Sequence, residues 1–408
     1  MAFAPPLVGL TADQSSPEVA ADVRPRWLKW LWRGFCRGLG AVVRFVKRLF
    51  GGLFWGIGRV FSLIALAALL AGVAAIPLVN FWALGAMLEA EGAVARTGKL
   101  RAGFPLRRAA ARVGGMALGL ALFLLPLQLL AGFAADAAIV DAEGLVARRL
   151  ARGTTVAGVV VFAHLLLAVL RGGRLRDFVR PIANVRGFVR ACRKKGGFSE
   201  LLMPLESLLR DVRPWRTWKT GFVGAGGVLA WTVVPTTIYA AADQARGPQL
   251  LLTVVGGICL AVVLSWVPIL QAGYARDPGW RQFGRLGEAR MLFARSPMLW
   301  TGVLLLGFAG SLVLYLFKIA TPPRDAVWLM TPFFVLVIYP VRVLAGWVYA
   351  RASRRETLPW RAWRNGWGGA CIVVTLFYVL LLFFTRDIGA YGKLVLYQQP
   401  FLLVPSPF

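Results

Sequence analysis

Charge-free apolar runs alternate along the chain with short polar connectors. Seven runs contain no charged residue, at 60–88, 113–135, 153–170, 220–242, 247–275, 296–317 and 365–385, and an eighth at 326–350 is interrupted only by Arg342. A helix rises about 1.5 Å per residue, so about 20 apolar residues cross the hydrocarbon of a bilayer. Each run approaches or exceeds that length, and 153–170 is the shortest. In lipid the backbone must satisfy its own hydrogen bonds, which makes each run a helix. The pattern therefore predicts an all-α, polytopic helical integral membrane protein with seven or eight transmembrane helices in a domain spanning 59–385.

The connectors predict an orientation. Those at 89–112, 171–219, 276–295 and 351–364 carry 6, 13, 5 and 5 Lys/Arg, against 3, 1 and 2 at 136–152, 243–246 and 318–325. Cytoplasmic connectors are enriched in Lys/Arg, so the first set is expected in the cytoplasm of a bacterial inner membrane and the C-terminal tail, 386–408, outside. Residues 26–58 form a further basic element. At 100° per residue Arg26, Lys29, Arg33, Arg37, Arg44, Lys47 and Arg48 share one sector, with aromatic and aliphatic residues filling the rest. That is the pattern of an amphipathic helix lying at an anionic leaflet, after a disordered tail at 1–25.

These two basic flanks put both ends of the first run on the same side. A single crossing is then excluded by the charge rule, and 29 residues are too few for two full crossings. A re-entrant hairpin turning within 72–80 (GVAAIPLVN) reconciles the two. The rival is one ordinary crossing with the N-terminus outside, against the charge rule.

The longest connector has a pattern of its own. Leu175, Phe178, Val179, Ile182, Val185, Phe188 and Val189 recur at helical spacing between arginines. After Lys194-Lys195-Gly196-Gly197 a second amphipathic segment opens on Ser199. Two helices lying on an anionic leaflet are expected, with Arg190, Arg193, Lys194 and Lys195 joining Arg33, Arg37, Arg44, Lys47 and Arg48 at lipid headgroups. Binding of RNA or of an acidic partner is the alternative for this segment.

Composition changes the picture little. The chain of 408 residues is 58% hydrophobic and 16% charged, with a net charge of +29. In a soluble protein that charge would point to nucleic acid; here the bases sit in connectors, so no nucleic acid is expected. Cys36, Cys192, Cys259 and Cys371 lack metal-ligand or disulfide spacing, and the one histidine excludes HExxH chemistry. No catalytic residues, metal or cofactor are expected, and no enzyme.

Polar residues inside the runs are the remaining candidates. His164 lies in an apolar run, where one interhelical hydrogen bond is expected of a neutral ring. Arg342 is expected to snorkel toward the cytoplasmic headgroups. With Asn80, Gln128 and Gln271 these residues make a candidate intramembrane polar site. Prolines at 77, 126, 235, 268, 332 and 340 raise the reading of a transporter built on broken helices. Gly115 and Gly119 form a GxxxG, a mark of close packing.

Several stretches carry a resemblance: 76–105 (IPLVNFWALGAMLE and TGKLRAGFP), 172–182, 221–235, 267–275, 340–355 and the terminal QQPFLLVPSPF. In these the chain resembles an uncharacterised bacterial, planctomycete-type family of multi-pass membrane proteins, the DUF4013-like group. The resemblance implies a membrane protein and no particular activity. Where members of that family carry a Glu and a His before the terminal FLL, this chain has Gln398, Gln399 and Pro400. Together these features predict a non-enzymatic membrane-organising or scaffold component that engages anionic membrane lipid, with a protein partner or a homo-oligomer as further possibilities. A transporter is the alternative.

Overall fold

The computed structural model describes residues 52, 56–194, 197–241, 247–317, 329–385, 387 and 392–403. The amphipathic segment with Arg33, Arg37, Arg44, Lys47 and Arg48, together with Lys195, lies outside them. Val60–Phe408 forms one compact unit. Among the described residues every regular element is helical.

Eight helical segments are long and apolar enough to cross a membrane, so the chain is a multi-pass helical membrane protein. They are α1 (Gly56–Ala74), α3 (Arg107–Val140), α4 (Leu145–Leu170), the apolar part of Ser199–Tyr239, α9 (Pro248–Arg276), α11 (Pro297–Leu316), α12 (Thr331–Arg354) and α13 (Arg361–Thr385). Seven of the predicted runs each correspond to one of these segments, with ends that differ by a few residues. Helices α9 and α12, and α8 (Pro214–Tyr239), continue unbroken through Pro268, Pro340 and Pro235.

The first run behaves differently, splitting where the Gly/Pro stretch was expected to turn. Helix α1 stops at Ala74, Leu78 takes φ +64°, and α2 (Asn80–Thr97) follows. Pro77 lacks an N–H and disfavours helix in the residue before it, which accounts for the stop. Helix α2 then runs nine residues beyond the end of the run at 88, into the stretch expected to be a connector. It carries Glu89 and Glu91 with it.

Helix α2 is the hub of the bundle, packed against α8, α9 and α12. Its fit to α8 depends on glycine, because a Cβ on Gly85 would lie 1.8 Å from the Thr217 carbonyl oxygen and one on Gly221 would lie 1.8 Å from that of Phe81. Two backbones meet there without side chains between them. Helices α3 and α4 pair with each other and leave most of their apolar surface uncovered, as lipid-facing helices do. The GxxxG of α3 receives a ring rather than a helix, since a Cβ on Gly119 would fall 2.4 Å from the Phe178 side chain.

The long basic connector folds into α5 (Leu175–Phe178), α6 (Pro181–Arg193) and α7 (Gly197–Val212), with α7 opening two residues before the expected Ser199. Arg213, at φ +45°, separates α7 from α8. Helix α10 (Leu286–Arg295) lies in the next basic connector and packs against α9 and α12. After α13 the tail makes a 3-10 turn, Gly392–Tyr397, and folds back into the bundle. Val395, Leu396, Phe401 and Leu402 are buried there.

Candidate functional sites: a buried ion pair and a basic cleft

Two groups of polar side chains stand out, one sealed within the bundle and one open at its basic end. The sealed group centres on Arg342, whose Nη1 donates to Glu91 Oε2 at 3.0 Å, with both side chains only 2% exposed. Its Nη2 donates at 2.9 Å to the carbonyl of Leu402 in the tail, and Gln271 Nε2 donates to the same oxygen at 2.8 Å. A carbonyl has two lone pairs, so it serves both donors. Arg342 therefore does not snorkel: Glu91, brought in by the extension of α2, holds its charge inside.

The tail reaches this pair from the end of the bundle where α8, α11 and α13 finish. Tyr397 shares a hydrogen bond of 2.9 Å with Thr237 near the end of α8, and the Tyr315 hydroxyl at the end of α11 donates to the carbonyl of Gln398. Deeper in, the Tyr378 hydroxyl donates to Gln399 Oε1 at 2.7 Å. Phe401 then fills the notch at Gly307, where a Cβ would lie 2.6 Å from its ring. The uncharged Gln399 suits this burial, since its amide accepts from Tyr378 and donates to the Leu396 carbonyl without a desolvated charge.

The other intramembrane candidates do not join that group. His164 Nε2 donates to the Phe178 carbonyl at 2.8 Å, with its ring 4.9 Å from that of Phe123, so it ties α4 to the end of α5. That is one hydrogen bond between elements, as expected of a structural histidine. Gln128 is exposed on α3, and the partly buried Asn80 opens α2, its Oδ1 buried without a hydrogen-bond partner. The five candidates thus divide into one converging pair, Gln271 and Arg342, and three separate positions.

At the basic end, Arg190, Arg193 and Lys194 are exposed, with Lys194 paired to Glu200 at 2.6 Å. The apolar side of α6 is also open: Ile182 is 68% exposed, Val185 52%, Phe188 37% and Val189 41%. At 100° per residue these apolar positions occupy one sector and Arg186, Arg190 and Arg193 adjoin it. No protein element covers that face among the described residues.

A cleft of about 890 Å³ opens beside the start of α8. Arg213, Arg216 and Lys219 line it from α8, Arg96 from the last turn of α2 and Arg276 from the last turn of α9. Arg96 Nη1 donates to the Arg276 carbonyl at 2.6 Å, and the Arg276 guanidinium sits 3.4 Å from Asp277 and over the Tyr349 ring. Glu89 is the acid in the lining, accepting a hydrogen bond from Thr217 at 3.0 Å. Arg213, Arg216 and Lys219 are exposed and have no ion-pair partner among the described residues. Their spacing of three keeps them along one side of the first turns of α8, which is the signal in the sequence; their bases were legible as part of a charged stretch but not as one wall.

Among the described residues no group of three or more His, Cys, Asp or Glu is placed to hold a metal ion. No family model, curated protein or solved structure matches the chain.

Proposed function

We propose that this multi-pass protein is a non-enzymatic, membrane-organising component of the bacterial cytoplasmic membrane that engages anionic lipid through a basic, cytoplasm-facing end. The observation that carries this reading is the open apolar side of α6, flanked by exposed arginines. A helix with that face packed on protein would be part of a core. A helix with that face open and basic residues beside it matches an element seated at the headgroup level of an anionic leaflet.

A nitroxide scan of the full chain in lipid nanodiscs tests this. Labels at 182 and 189 should be reached by oxygen in preference to a water-soluble nickel chelate, and a label at 187 should show the reverse. Water-like accessibility at both 182 and 189 would take α6 off the membrane and remove the support for lipid engagement. The transporter reading has less behind it, because the candidate polar residues are dispersed, α3, α8, α9 and α12 run through Pro126, Pro235, Pro268 and Pro340, and Arg342 is closed over by the tail.

A further inference from the structure

We propose that the cleft between α2, α8 and α9 is a binding site for a single phosphate group, carried by an anionic lipid or by a free phosphate ester. It deepens the lipid-engaging reading by naming one place with defined contacts, and it rests on that reading for the lipid source alone.

The basic pockets differ in which of their cations are already occupied. The basic connector forms another pocket, lined by Arg112, Arg171, Arg174, Arg176 and Arg180, where Arg176 pairs with Asp177 at 3.9 Å and Arg112 and Arg171 are used internally. Arg112 donates to Ser207 at 3.0 Å and to the Pro204 carbonyl at 2.7 Å, while Arg171 donates to Asn184 at 3.2 Å. They hold the connector to α3 and α4. In the cleft five cations face one lining acid, Glu89, with Asp277 beside Arg276, and Arg213, Arg216 and Lys219 have no ion-pair partner among the described residues. Like charges gathered on one wall repel, and an anion bound among them relieves that repulsion.

Several features select phosphate. Two guanidinium forks and an ammonium offer many donors to one centre, which suits the multiple acceptor oxygens of a phosphate better than the two of a carboxylate. Arg213 and Arg216 also stand at the start of α8, where the positive end of the helix dipole favours an anion. Arg213 stands at the left-handed junction between α7 and α8. That backbone conformation is unfavourable for a residue other than glycine, and here it places a guanidinium at the mouth of the cleft. Val223 and the half-exposed Trp280 give the same cleft an apolar wall. Trp215, Trp218 and Phe222 stack in series along the neighbouring side of α8, as aromatic residues do at headgroup level.

The test uses the full-length protein in a neutral detergent, with native mass spectrometry counting bound dioctanoyl phosphatidic acid. Wild type should retain one lipid per chain at low micromolar concentration. The variant Arg213→Asn/Arg216→Gln/Lys219→Gln should lose at least tenfold in affinity, asparagine being chosen because it tolerates the left-handed backbone. Removing the same charge from α6, in Arg186→Gln/Arg190→Gln/Arg193→Gln, should leave that one lipid bound. Equal loss in both variants, or in neither, overturns the site. The first pattern would leave general attraction at the basic end intact, and the nitroxide scan reports on that separately. If the triple variant melts well below wild type, Arg216→Gln alone replaces it, with at least a threefold loss expected; no loss overturns the site. Inorganic phosphate distinguishes the sources: competition at concentrations similar to the lipid's assigns a free phosphate ester, and failure to compete assigns the lipid.

Discussion

At the scale of residues, the buried Arg342–Glu91 pair sets the clearest energetic demand. Two charges removed from water and headgroups are tolerated only when each satisfies the other, and here the Leu402 carbonyl takes a second donor of the arginine. Removing one partner strands the other, at a cost of about 3–5 kcal/mol. Glu91→Leu and Arg342→Met should therefore each lower the melting temperature in detergent strongly, and the double variant should recover most of the loss. Additive losses in the cycle would mean that the two charges are not coupled. Glycine gives a second prediction at this scale. Gly85→Ala drives a methyl into the Thr217 carbonyl and must separate α2 from α8, whereas Gly302→Ala meets nothing within 4 Å. The first should lower the melting temperature markedly and the second should leave it within experimental scatter; similar melting of the two would contradict the backbone contact.

At the scale of elements, the tail is a plug, and its removal has a defined consequence. Deleting residues 399–408 takes away the carbonyl shared by Arg342 and Gln271 and empties the notch at Gly307. In a cysteine-free background, Ser311→Cys on α11 should be protected from a membrane-impermeant thiol reagent in the full chain and become reactive after the deletion. Protection unchanged by the deletion would show that the tail does not seal the bundle. Neither the plug nor α2 was legible in the sequence, for related reasons. A segment such as QQPFLL is short, polar at its start and aperiodic, so nothing in it distinguishes a buried re-entrant tail from an exposed one. For α2, ending the run at the first charge hid a helix whose inward positions continue: Leu84, Met87, Leu88, Glu91, Val94 and Ala95 recur at spacings of three, one, three, three and one and are all buried. The other seven runs were legible because length and apolarity alone decide a crossing helix. The cleft was half legible, since charge count reveals a basic end but convergence of α2, α8 and α9 requires the fold.

At the scale of the whole molecule, α1 decides how the chain enters the membrane. By length and composition it is a crossing helix, and its contacts place its midpoint beside α3 and the bend that follows it beside α8. Ala65 lies against Gly114, two turns into α3, and the bend after α1 lies against α8, where Trp218 Nε1 donates to the Leu78 carbonyl at 2.8 Å. Both α3 and α8 start at the basic end: Arg112 on α3 is bound to Ser207 of the basic connector, and α8 follows that connector directly. The charge rule expects this helix to enter and turn on the basic side rather than cross. With a re-entrant α1, seven crossings would remain, α3, α4, α8, α9, α11, α12 and α13, and every connector rich in Lys/Arg would fall on one side and the start of the plug on the other, as the positive-inside rule expects. Cysteines at 185 and 355 should accordingly resist an impermeant reagent added to intact cells, while those at 140, 245 and 320 should react. Reporter fusions at 55 and 105 carry the sharper version of the same argument, because they bracket α1 and α2 together. Equal sidedness at both is expected from the re-entrant path; opposite sidedness would make α1 a full crossing, put the basic segment at 26–58 outside, and remove that segment from the anionic leaflet it is proposed to engage.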